Sequence, residues 1–135
     1  MRMMNGTPAI PAYYAALAGL EIIDAVGVDR IREASQTLTA RLLMLVDRYG
    51  FTSVSPRDPA RRAGTVAVDV PDAIHVSRTL KARDFVVDYR PPVGIRISPH
   101  FYNTADEVDR IMAEIAEIVR TKHYAPMPAQ PSIVT

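Results

Sequence analysis

Residues 86–104 read VVDYRPPVGIRISPHFYNT, and the fold is decided there. Two β-rich runs, FVVDY (85–89) and GIRIS (94–98), flank the turn-like RPPV, the pattern of strand, turn and strand. Within GIRIS, Ile95 and Ile97 share one side of a strand, so Arg96 must project from the other. Immediately beyond, Thr104 with Glu107 three residues on forms a capping box, a helix start in which side chains satisfy free backbone N–H groups. Val108, Ile111, Met112, Ile115 and Val119 then space an apolar stripe along that helix.

Working upstream, TVAVDV alternates cleanly, with Val66, Val68 and Val70 on one face and Thr65, Ala67 and Asp69 on the other. Pro71 and Asp72 open a short helix to about Arg83, FTSVS (51–55) reads as a short strand, and SPRDPARRAG is a polar, proline-interrupted loop. A long helix is predicted from about Asp29 to Tyr49, its stripe made of Val28, Ile31, Leu38, Leu42, Leu45 and Tyr49, with Gly50 ending it. Residues 8–25 form a helix rich in small residues, stopped by Gly27. Thr7–Pro8 is a helix-entry signal, with the hydroxyl as cap and Pro at the first helical position; such an end also suits a phosphate. The expected fold is α+β: a small, mostly antiparallel sheet of about three to four strands, covered on one face by helices.

Composition narrows the function. The chain has 135 residues, one domain's worth, with 48% apolar and 23% charged residues, an ordinary globular balance. A net charge of +1 gives no reason to expect nucleic acid or an anionic membrane as partner. The absence of cysteine removes disulfides, thiolate metal sites and a cysteine nucleophile. No apolar run reaches a membrane span's length, and a cytoplasmic protein is expected. No histidine pair has metal-ligand spacing with a third ligand near it, so no metal site is expected. Arg96 with Arg90 nearby suits a carboxylate, gripped by the two-pronged guanidinium; the plainer alternative is that Arg96 pairs with an Asp on the solvated sheet face.

GTPAIPAYYAALAGLEII, VAVDV and DYRPPVGIRISPHFYNTADEVDRI together resemble the C-terminal part of class V aminotransferase-type enzymes, the fold type I pyridoxal-phosphate (PLP) group. The resemblance spans roughly residues 3–122. It implies a small domain over residues 8–123 and an interdomain, cofactor-edge segment over residues 1–7, while the proline-rich composition of residues 124–135 is that of a flexible tail. It also implies that Thr7 reaches the cofactor phosphate of a partner subunit with Gly6 allowing close backbone approach, that Arg96 holds the substrate's α-carboxylate, and that Arg90 lines the same mouth. Asn103 and Thr104 are expected to be structural, and His100 packed or solvated. In cysteine desulfurases a catalytic cysteine sits between the two arginines; here the segment is PPVGI, and the resemblance is nearer to kynureninases, which use PLP to cleave a β,γ carbon bond of an amino acid.

The cofactor lysine, the pyridinium partner and the ring-stacking group of that family lie in the large domain, upstream of the Gly-Thr-Pro segment. Lys81 and Lys122, the only lysines, suit helix C-termini instead. The chain alone is therefore expected to hold no catalytic residue and to be inactive, as part of a homodimeric enzyme acting on an amino acid. A subunit completing an active site in trans, a non-catalytic binding or dimerisation module, a truncated gene or a misassigned start codon at Met1, Met3 or Met4 would read the same way.

Overall fold

The computed structural model describes Gly6 and residues 9–126. Helices α1 (Ile10–Val26) and α2 (Val28–Arg48) are followed by strand β1 (Val66–Val68), helix α3 (Ala73–Ala82), strands β2 (Asp88–Arg90) and β3 (Gly94–Ile97), and helix α4 (Ala105–Thr121). The strands form one antiparallel sheet of order β1-β3-β2, with Val66 opposite Ile97, Val68 opposite Ile95 and Tyr89 opposite Ile95. This is the expected α+β arrangement.

One face of the sheet is closed. Val66, Val68, Ile95 and Ile97 meet Leu42 and Val46 of α2, Val76 and Leu80 of α3, and Met112, Ile115 and Ile118 of α4 in a single apolar core. Each fully buried side chain of this size contributes about 1.5–3 kcal/mol, against about 1 kcal/mol net for a typical hydrogen bond, so packing against the helices holds this short sheet together. The α4 stripe is buried at Val108, Ile111, Met112, Ile115 and Ile118, with Val119 partly covered. The capping box is present: the Glu107 N–H donates to Thr104 Oγ1 at 3.2 Å, and the Thr104 N–H donates to Glu107 Oε2 at 2.7 Å.

Several expectations are corrected. FTSVS does not form a strand. Thr52 makes an isolated bridge to Asp69; beyond it, Ser53 Oγ donates to the Ala67 carbonyl and Ser55 Oγ accepts from the Ala67 N–H. Serine hydroxyls compete with the backbone for such partners, so the ladder stops after one bridge. Ala67, which alternation puts on one face with Thr65 and Asp69, is itself buried. The α2 stripe is tight only from Leu38 to Val46: Val28, in the first turn, is 70% exposed and Tyr49, the C-cap, 37%.

Helix α1 begins later than the Thr7–Pro8 signal, with Ala9 as N-cap, no side-chain cap bond and Pro11 in the first turn. Thr7 lies outside the described residues. Gly27 does stop α1, at φ 88°, but α2 starts at the next residue and the two helices meet at 83°. No single described helix is long and apolar enough to cross a membrane.

Two side-chain anchors were unexpected. Arg62, from the proline-interrupted loop, is buried, its guanidinium donating to Thr39 Oγ1 (3.1 Å) and to the Pro56 and Arg57 carbonyls (2.9 Å each). Tyr124 donates its hydroxyl to Asp72 at 2.7 Å and the Ala125 N–H donates to Thr79 Oγ1 at 2.9 Å, so the chain beyond α4 packs on α3 up to this point.

Candidate functional site on the open sheet face

The face of the sheet turned away from the helices is polar. Strand alternation puts Arg96 in one transverse row with Ala67 and Asp88, its register partners on β1 and β2. Arg90, two residues after Asp88, faces the same way, and Thr65 and Ser98 extend the face with a 2.8 Å hydroxyl–hydroxyl hydrogen bond. The β2–β3 connection, which contains a cis Pro91–Pro92 bond, is closed by a 2.8 Å hydrogen bond from the Val93 N–H to the Arg90 carbonyl. At its end Gly94 has φ 95°, and a Cβ there would collide with the Val68 carbonyl and stand 2.9 Å from the Asp69 Cα. Glycine is required at this point, because β3 passes so close to the end of β1.

Asp88 lies between the two arginines. Its Oδ2 accepts from Arg90 Nε at 2.9 Å and also from Arg96 Nη2. All three side chains stay open to solvent, at 63% for Arg90 and 43% for both Arg96 and Asp88. The Asp88 carboxyl is held below the usual carboxylate range, first by the hydrogen bond from Arg96, against an opposing desolvation effect, and then by Arg90. The pairing of Arg96 with an aspartate on the solvated face, set out above as the plainer alternative, is thus what the isolated chain displays. Exposed ion pairs contribute little to stability, so the fold does not depend on this cluster. Two guanidiniums on one carboxylate leave a local charge of +1, and Arg96 gives Asp88 one of its five N–H donors, leaving donors for a second carboxylate.

Other expected site residues stand elsewhere. Gly6 is exposed at φ 105°, with nothing within 4 Å of where a Cβ would be. Lys81 is in the last turn of α3 and Lys122 caps α4 at φ 53°, so both stand at helix C-termini. His100 is exposed and its ring lies 4.6 Å from those of Phe101 and Tyr102. Asn103 is structural, accepting from the His100 N–H at 2.8 Å and donating to Glu107 at 3.2 Å. A hollow of about 600 Å³ at the end of β3 is lined by Phe85, Ile97, Ser98, Tyr102, Val108 and Ile111, and Arg96 is not among its lining residues. Among the described residues no group of three or more His, Asp or Glu side chains could hold a metal ion. The residue that sequence reasoning missed is Asp88; the signal was its spacing of two from Arg90, which puts both on one strand face.

A model of the kynureninase C-terminal domain matches residues 31–115, which include the core of α2, the whole sheet and most of α4. The chain belongs to that family. It is 31% identical to a kynureninase of Bacillus cereus and 29% identical to one of Geobacillus thermodenitrificans, each over an aligned length of 124 that covers 88% of this chain and 29% of the relative. The chain thus spans less than a third of the length of these relatives. Among solved structures it resembles a cysteine desulfurase of Thermococcus onnurineus (26% identity, TM-score 0.78, 89% of this chain and 34% of the other). It also shares the fold of a NifS-like protein (23% identity, TM-score 0.70, 87% of this chain and 35% of the other). The fold is that of the small domain of fold type I PLP enzymes.

Proposed function

We propose that this chain is the substrate-carboxylate-binding small domain of a PLP-dependent, kynureninase-like enzyme acting on an amino acid. The observation that carries this is the open-face cluster, in which Arg96 and Arg90 flank one aspartate and retain a net positive charge. In this reading Arg96 grips the α-carboxylate through its fork and fixes the amino acid's orientation, and Arg90 adds positive potential at the mouth. Gly6 and Thr7 belong to the cofactor's phosphate edge. Bound PLP supplies the electron-withdrawing ring for carbon–carbon cleavage or amino transfer, and its lysine comes from outside this chain. The chain alone is inactive, and its assembled form is a homodimer joined through the PLP-site face.

The test uses an enzyme assembled from this chain and a catalytic large domain. Arg96→Ala should lower kcat/KM by about 10–100-fold, mostly through KM, as expected for loss of a charge-assisted contact to substrate. Unchanged kcat/KM would remove the carboxylate role. For the chain alone, borohydride treatment with PLP should leave no pyridoxyl group on Lys81 or Lys122; a modified lysine would overturn the assignment of the cofactor lysine to another domain.

A further inference from the structure

We propose that Asp88 is a specificity-determining residue: by tying up Arg90, it makes the open sheet face accept a ligand with one carboxylate and turn away a dicarboxylate. This rests on Arg96 as the carboxylate anchor and deepens that reading. Register puts Asp88 directly opposite Arg96 and Arg90 opposite Gly94, so the two arginines are diagonal neighbours on adjacent strands. Backbone positions in that relation are about 7–8 Å apart, within reach of long side chains. Both guanidiniums in fact converge on one atom, Oδ2 of Asp88. Two groups that meet on a single oxygen can also meet on one small molecule.

Stability does not explain the arrangement. Exposed ion pairs contribute little, and one arginine would be enough to pair the aspartate. On its other side Arg96 has Ala67 as register partner, so Asp88 is the charged neighbour within its row. The next row holds the neutral Thr65–Ser98 hydroxyl pair. Asp69, just past β1, forms no ion pair with either arginine among the described residues. Asp88 therefore decides how much positive charge the two arginines can offer a ligand.

The charges balance for one carboxylate and not for two. Arg90, Arg96 and Asp88 together carry +1, and a single carboxylate on the open donors of Arg96 brings the group to neutrality. A second carboxylate on the same ligand finds Arg90 already engaged through Nε and stands beside Asp88 instead. Like charges at about 6 Å in a half-solvated site disfavour binding by about 10-fold. Rejecting a ligand by a charge it cannot pair is a general route to specificity. With a neutral residue at position 88, Arg90 is released and the pair of guanidiniums matches a diacid.

Arginine Nε–H spectra of the isotope-labelled full chain test this. Butyrate and glutarate are the probes, with one and two carboxylates, titrated at neutral pH and constant ionic strength. In the parent chain both should move the Arg96 signal with similar affinity. Asp88→Asn should tighten glutarate by about 10-fold relative to butyrate, and the Arg90 signal should now move as well. Adding Arg90→Ala should cancel that gain, a response that a merely structural role for Asp88 would not give. These side chains add little to stability, so the variants should melt like the parent. An unchanged ratio of glutarate to butyrate affinity in Asp88→Asn would overturn the proposal. Arg96→Ala separates the two readings. If butyrate moves no arginine signal, or binds equally without Arg96, the carboxylate role itself fails. If butyrate binding needs Arg96 and Asp88→Asn leaves the ratio unchanged, only the role of Asp88 fails.

Discussion

Helices α1 and α4 have the same length, 17 residues, and opposite construction. Helix α4 carries its own instructions: a capping box, Asp106 and Glu107 in the first turn, Arg120 in the last, and five buried residues on one stripe. Helix α1 has no side-chain cap, no acid in its first turn, no base in its last and no buried residue. The charges of α4 complement its dipole and its stripe fits the sheet, so its sequence and its surroundings agree. The sequence of α1 finds no such match among the described residues.

The sharpest challenge to that contrast is a pair of truncations. Ile115→Ala in α4, at a fully buried position, should destabilise the domain by about 2–5 kcal/mol in denaturant unfolding, whereas Leu17→Ala in α1 should change it by less than about 0.5 kcal/mol. A comparable loss at Leu17 would mean that α1 is part of this core after all. Next in size, Gly94→Ala should cost about 1–3 kcal/mol or more, because the positive φ and the collision with the Val68 carbonyl act together; a neutral result would show that β3 can move away from β1. Thr104→Ala should cost about 1 kcal/mol through loss of the cap, with no counterpart at Ala9 of α1.

The smallest effect is on pH. The carboxyls of Asp47, Asp88, Glu107 and Asp109 are each held low, chiefly by hydrogen bonds from Arg57, from Arg96, from the Thr104 N–H and from Arg41 respectively. The unfolded chain therefore binds protons more readily in acid than the folded one. Their stabilisation is present above the ordinary carboxylate pKa of about 4 and is lost as pH falls through the lower folded values. Acid melts should show a shallow decline below about pH 4, less steep in Glu107→Gln; a decline already under way at pH 6 would point to other groups.

What could be read in advance followed local rules. The capping box at Thr104, the α4 stripe and the alternation about Ile95 and Ile97 depend on neighbours within four residues, and the structure shows each of them. The closed face of the sheet followed from the same alternation. The misreadings depended on distant partners. FTSVS has the composition of a strand, but its serine side chains bond to Ala67 more than ten residues away. Arg62 looked like part of a solvated loop, yet Thr39 and two loop carbonyls enclose it without a carboxylate partner in those bonds. At the candidate site, the direction of Arg96 was legible from strand period alone. Its pairing was not, because Asp88 becomes its neighbour only through the register of β2 on β3.

Gly27 gives this domain a lever. A single residue at φ 88° and ψ 136°, a combination open mainly to glycine, separates two helices that meet at 83°. Helix α1 is an arm of about 25 Å, so a torsional change of about 10° at Gly27 sweeps its far end through about 4 Å. Such a change would reorient α1 while leaving in place α2, six of whose residues are buried in the core.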